Sequence, residues 1–241
     1  MNMSEMIGII ETDIYIIVHG FAGGIYEIEP LYNFLKSKDL NVHSILLAGH
    51  GGTKKDLSDF SYIDWIESAV YQVKEILKQY EENNTNAKIT FIGFSMGSLI
   101  CAHLTDYFYA KRVIFVNTPV YYWNFNQIIK NIIGDIKRKE FSNINHYRKS
   151  IVNSPPKALI NFLIILNKTK RKFSSVCIKR ANPLILQCLD DDTVKSKSAD
   201  FIKSEIGAAA KIIYYKHGGH LVFLSETARQ IIKDICDYIG I

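Results

Sequence analysis

Long apolar runs are missing from this sequence: none approaches the roughly 18 residues that span a bilayer, so no membrane-crossing helix is expected. The opening "MNMSEMIGIIETD" lacks a basic region followed by an apolar block, so a secretory signal is not expected either. Cysteine is scarce. Cys101, Cys177, Cys188 and Cys236 stand alone among apolar neighbours, without metal-ligand spacing or a disulfide framework. They are expected to be reduced core thiols of a cytoplasmic protein. Low-complexity segments, internal repeats and recognised nucleic-acid motifs are also lacking, so no nucleic-acid partner is expected.

What is present is a chain of 241 residues, 48% hydrophobic, enough to bury a substantial core as one domain. Its net charge of +5 is unevenly spread. Between Val120 and Asn182 there are 13 Lys or Arg against only Asp135 and Glu140, so this segment carries +11 and the remainder −6.

Six short apolar runs alternate with amphipathic stretches: "DIYIIVHG", "NVHSILLAG", "KITFIGFS", "RVIFVNTP", "NPLILQCLD" and "AKIIYYKHG". Continuous runs of this kind suit strands covered on both faces of a parallel sheet. The segment "SYIDWIESAVYQVKEILKQYEE" reads as a helix with Ile63, Ile66, Val70, Val73 and Leu77 on one face. The expected fold class is therefore α/β, a mostly parallel central sheet flanked by helices. Alternation fails only between Pro119 and Asn182. Residues 1–119 and 183–241 are read as the core, and 120–182 as a helical cap inserted before the fifth strand.

In such a sheet, chemistry gathers beyond the carboxyl ends of the strands. After the third run stands Gly93-Phe94-Ser95-Met96-Gly97, a Gly-x-Ser-x-Gly turn between strand and helix. This pattern is a nucleophile elbow, whose tight turn lifts a serine hydroxyl clear of the sheet. A serine nucleophile needs a base, and His220, at the Gly-Gly turn after the last strand, is better placed than His217. The imidazole needs an acid, which Asp190-Asp191-Asp192 can supply; Asp191 is preferred because Val194 can pack back and hold the loop. An oxyanion needs donors: the Met96 N–H and, from the glycine-rich His19–Gly24 loop, the Phe21 N–H.

With these residues in view, the sequence resembles the α/β-hydrolase superfamily, particularly the small bacterial carboxylesterases related to monoacylglycerol lipases. The segments are "VHGFAGG", "LLAGHGG", "GFSMGS", "LQCLDDDTV" and "GGHLVFL". The resemblance implies hydrolysis of short- to medium-chain or monoacylglycerol-like carboxylic esters through an acyl-enzyme, without metal or organic cofactor. It also implies Asp191 as the acid. Thioester hydrolysis or acyl transfer would use the same parts, and a non-catalytic ligand-binding role is the alternative from another class.

The inserted segment matches nothing in that family closely. Tyr121, Tyr122, Trp123 and Phe125 are expected to line a substrate pocket or to pack cap against body. "ALINFLIILN", flanked by lysines, is expected to be buried near the catalytic mouth or to rest on an anionic lipid surface.

Overall fold

The computed structural model describes residues 10–123, 137 and 155–241. Six strands form one sheet: β1 (Ile10–Val18), β2 (Asn41–Ile45), β3 (Thr85–Phe94), β4 (Ala110–Val116), β5 (Leu184–Cys188) and β6 (Lys211–Tyr215). Their order is β2-β1-β3-β4-β5-β6, and every pairing is parallel. All six correspond to the six apolar runs.

The runs are continuous because both faces of the sheet are covered. Ile14, Ile16 and Val18 of β1 enter one core cluster while Tyr15 and Ile17 enter the other; Val113 and Phe115 of β4 are likewise divided from Ile114 and Val116. Each fully buried aliphatic or phenyl side chain contributes on the order of 1.5–3 kcal/mol. One face is covered by α1 (Glu29–Lys36) and α8 (Ala228–Ile239). The other carries α2 (Lys54–Asp59), α3 (Tyr62–Glu81), α4 (Met96–Leu104), α5 (Pro156–Lys170), α6 (Val176–Arg180) and α7 (Lys197–Ile206).

Helix α3 starts where Ser61 and Asp64 form a capping box: the Ser61 side chain accepts from the Asp64 N–H, and the Asp64 carboxylate accepts from the Ser61 N–H at 2.7 Å. Its buried residues are Trp65, Ile66, Ala69, Val70 and Val73, with Leu77 partly buried against the same cluster. Ile63 is 48% exposed, which corrects the expected face. The burial stripe is shifted round the helix to take in Trp65 and Ala69, and the indole enters the core beside Phe21 and His50.

A 3₁₀ turn at Val222–Leu224 precedes α8. Of the cysteines, Cys101, Cys188 and Cys236 are buried, but Cys177 in the short helix α6 is exposed.

The strand order reverses beside β1: the chain leaves β1 for β2 on one side and returns to β3 on the other. Such a reversal opens a crevice at the carboxyl ends of the two central strands. Here those ends carry the His19–Gly24 loop and Ser95.

Candidate active site

Ser95 follows the last residue of β3 with φ 51° and ψ −121°, a left-handed conformation that a side chain rarely adopts. The two glycines explain how the turn closes. A Cβ on Gly93 would lie 2.4 Å from the Ser98 Cα, and one on Gly97 2.1 Å from the Val18 carbonyl oxygen. Helix α4 is thereby pressed against β3 on one side and the end of β1 on the other. Ser98 locks the turn, its hydroxyl donating to the Gly93 carbonyl at 2.7 Å and accepting from the Val116 N–H at 3.3 Å.

The Ser95 Oγ lies 3.0 Å from His220 Nε2, and His220 Nδ1 lies 2.9 Å from Asp191 Oδ2. Asp191 is fully buried, and its other oxygen accepts the N–H groups of Thr193 and Val194 at 2.8 Å each. One carboxylate oxygen shapes the loop while the other faces the imidazole. That arrangement gives His220 the Nδ1–H tautomer and leaves Nε2 free to accept the serine proton. Burial alone would lower the His220 pKa, but the charges of Asp191, Asp192 and Glu27 outweigh it and raise it above the usual 6.5.

The histidine turn is gripped from two directions. Asn117, with φ 46° at the end of β4, donates its amide to the Gly219 and His220 carbonyls at 3.0 Å each. Its amide oxygen accepts the Cys188 N–H at 2.9 Å. Asp190 accepts the N–H groups of Gly219 and Gly218 at 2.9 and 3.3 Å. Asp190 thus holds the histidine turn by its backbone, a role apart from that of Asp191. His217 projects to solvent beside Asp190, away from Ser95.

On the other side of the serine, the parts are backbone. Met96 opens α4, where the first N–H groups have no intrahelical acceptor. The His19–Gly24 loop is set by buried His19, whose Nδ1–H donates to the Gly20 carbonyl at 2.8 Å and whose Nε2 accepts the Leu47 N–H at 3.2 Å. Burial pushes the His19 pKa down to about 3, so the ring is a neutral strut. Likewise His50, packed 5.0 Å from it, is held by burial at about 4.

An aromatic row extends outward from this loop. Phe21 stacks on Phe162 of α5 at 4.9 Å and packs 6.0 Å from Trp65; Tyr122 meets Phe162 edge-on at 4.9 Å. Tyr122 also bridges to Val194 of the acid loop, and Trp123 donates its N–H to the Thr193 carbonyl at 2.7 Å. Tyr121 has different surroundings: its ring packs on Phe201 and lies beneath the ammonium groups of Lys197 and Lys170. Phe125 lies outside the described residues. Phe162 and Trp65 are missed by motif reading, since their only sequence signal is helical spacing. A cavity of about 370 Å³ lies beside the loop, lined in part by Ala22, Gly23, His50 and Leu57.

Among the described residues, no group of three or more His, Cys, Asp or Glu is placed to hold a metal ion, and no helix is long and apolar enough to cross a membrane.

The model of the family Hydrolase_4, described as serine aminopeptidase, S33, matches residues 11–144. A carboxylesterase of Bacillus subtilis (strain 168) is 18% identical over 233 residues, covering 93% of this chain and 91% of its own length. Among solved structures, one from the metagenome-derived lipolytic enzymes LipS and LipT aligns with TM-score 0.74 and 14% identity, covering 96% of this chain and 95% of its own. The monoacylglycerol lipase of Paleococcus ferrophilus aligns with TM-score 0.66 and 14% identity, covering 95% and 96%. The fold is thus that of the α/β-hydrolases. The match to the family model takes in the His19–Gly24 loop and Ser95; Asp191 and His220 lie beyond it.

Proposed function

This chain belongs to the Hydrolase_4 family, and on that premise we propose that it is a serine hydrolase of carboxylic esters, with Ser95 as nucleophile, His220 as base and Asp191 as its orienting acid. The observation that carries this reading is the continuous Ser95–His220–Asp191 contact, at 3.0 and 2.9 Å, beside a strained serine turn.

In the proposed cycle, His220 Nε2 takes the Ser95 proton as Oγ attacks the ester carbonyl. Asp191 accepts the Nδ1–H and stabilises the imidazolium. The Phe21 and Met96 N–H groups receive the oxyanion. Collapse of the intermediate returns the proton from His220 to the leaving alcohol and leaves an acyl group on Ser95. Water, deprotonated by His220, then releases the acid and the free serine.

The 120–182 insertion is read as a substrate cap. Its aromatic row, with Tyr122 and Trp123 at the acid loop, supports a short- to medium-chain ester. Helix α5 buries Ala158, Phe162, Ile165 and Leu166 but exposes Ile160, Leu163 and Ile164. The exposed aliphatic face, with Lys157 and Lys168 on the same helix, supports transient contact with an anionic lipid surface. Three buried, unpaired thiols support a reducing, cytoplasmic setting.

Hydrolysis of nitrophenyl esters from two to sixteen carbons tests the reading. The wild type is expected to turn over, with the preferred chain length reporting pocket depth, and Ser95→Ala is expected to be inactive. Equal turnover by the mutant, or an inert wild type that also ignores thioesters, would remove the serine hydrolase reading.

A further inference from the structure

Glu27 ends the 3₁₀ turn Ile25–Glu27 that follows the His19–Gly24 loop, and its carboxyl is buried at 6% exposure beneath that loop. Its Oε2 accepts the Gly20 N–H at 2.9 Å. The loop is moulded around this group. A Cβ on Gly23 would lie 2.1 Å from the Glu27 Cδ, and one on Gly20 would lie 3.0 Å from Oε2 and 3.4 Å from the Ser95 Cβ. The carboxyl thus sits one residue's width from the nucleophile.

The planar peptide unit makes this contact consequential. The Gly20 carbonyl and the Phe21 N–H are opposite ends of one peptide plane, so fixing the first fixes the direction of the second. His19 holds that carbonyl, while Glu27 holds the N–H of the preceding plane. Between them they set both dihedrals of Gly20, a residue otherwise free to rotate.

Such a carboxyl is poorly suited to a core. Burial drives its pKa up from 4.5 to about 7, against the Gly20 N–H, the His220 charge and the Gly24 N–H, which pull it down. Between those two values the native state keeps a proton that the unfolded chain has lost, so stability falls as pH rises through this window. A neutral isostere would avoid that loss.

We propose that Glu27 is a positioning residue for the oxyanion loop: it holds the Gly20 peptide so that the Phe21 N–H meets the reacting carbonyl oxygen, and its negative charge supports the imidazolium that forms on His220. This rests on the esterase reading of Ser95, His220 and Asp191. The groups whose charges bear on the pair are His220 and Tyr26 around Glu27, and Asp191, Asp192 and Glu27 around His220.

The test compares wild type, Glu27→Gln and Glu27→Ala on one soluble nitrophenyl ester from pH 5 to 9, with thermal unfolding at pH 5 and pH 8. Glu27→Gln is expected to lower kcat about tenfold and Glu27→Ala about a hundredfold, with KM within about twofold, since full removal of an oxyanion donor costs about 10²–10³. Loss of the negative charge is expected to move the acid limb of kcat/KM to lower pH in Glu27→Gln. The same variant is expected to unfold at pH 8 no earlier than wild type. A Gln variant with unchanged kcat and an unmoved acid limb overturns the inference. So does a Gln variant whose kcat loss tracks a lower melting temperature, because that is the mark of a purely structural carboxyl. Residual turnover in Ser95→Ala, by contrast, strikes the esterase reading itself.

Discussion

The two sides of Ser95 are built by different means. On the proposed acid–base side the reacting groups are side chains: Asp191 meets His220 directly, while Asn117 and Asp190, from the ends of β4 and β5, hold the peptide groups of the turn that carries it. On the proposed oxyanion side, the working groups would be peptide N–H donors, with side chains such as His19 holding their peptide planes from behind. The contrast teaches where substitutions can be absorbed. A side-chain contact is lost outright when one partner changes, whereas a peptide plane held by several contacts keeps part of its orientation when one is removed.

The comparison is broken most severely by Asp191→Asn, which places an amide N–H or a misoriented oxygen against Nδ1. A loss in kcat of about 10³–10⁴ with little change in KM is expected. On the opposite side, His19→Phe removes the strut behind the Phe21 peptide while filling the same buried space. Its expected cost is about 10–100-fold in kcat, below that of deleting an oxyanion donor. Should steady-state kinetics show both variants equally impaired, the proposed asymmetry between the sides fails.

Asn117→Ala tests whether positioning on the acid–base side is shared. It deletes two donors and one acceptor at a three-strand junction, so chemical denaturation should register a loss of about 1–3 kcal/mol. A kcat decrease of about tenfold is expected alongside, because Asp190 still grips the histidine turn.

A smaller effect sharpens the electrostatic part. As His220 must be neutral to accept the serine proton and its pKa is raised, the acid limb of kcat/KM is expected above pH 6.5. A limb below that value would mean that burial outweighs the neighbouring carboxylates. The mildest change belongs to the proposed cap. Leu163→Ser with Ile164→Ser is expected to alter turnover of a soluble ester less than about twofold, yet to reduce binding to anionic vesicles in a salt-sensitive way. Unchanged vesicle binding would assign the exposed aliphatic face no lipid role.

Much of this site is legible in the chain because its demands are local. Gly93 and Gly97 are required by atoms within a few residues or by the neighbouring strand end, and that steric demand leaves a five-residue imprint. His220 is similarly marked by the glycines around it. Other readings misplace residues where the decision is not local. Ile63 fits the helical period yet faces solvent, because α3 turns Trp65 and Ala69 into the core instead. Asn117 carries no motif at all. Its value as both donor and acceptor emerges only where three strand ends meet.

The sequence by itself determined the alternation of strands and helices, the strained serine turn and the order serine, acid, histidine along the chain. These follow from side-chain periodicity and from backbone sterics, which act over a few residues. Tertiary structure decided that Asn117 and Asp190 grip the histidine turn, and that Phe162 closes over Phe21. Ser95 and His220 are 125 residues apart, and their contact depends on the register of four parallel strands rather than on any local pattern. Convergence of that kind is written across the whole chain, so no single stretch of it reveals the geometry.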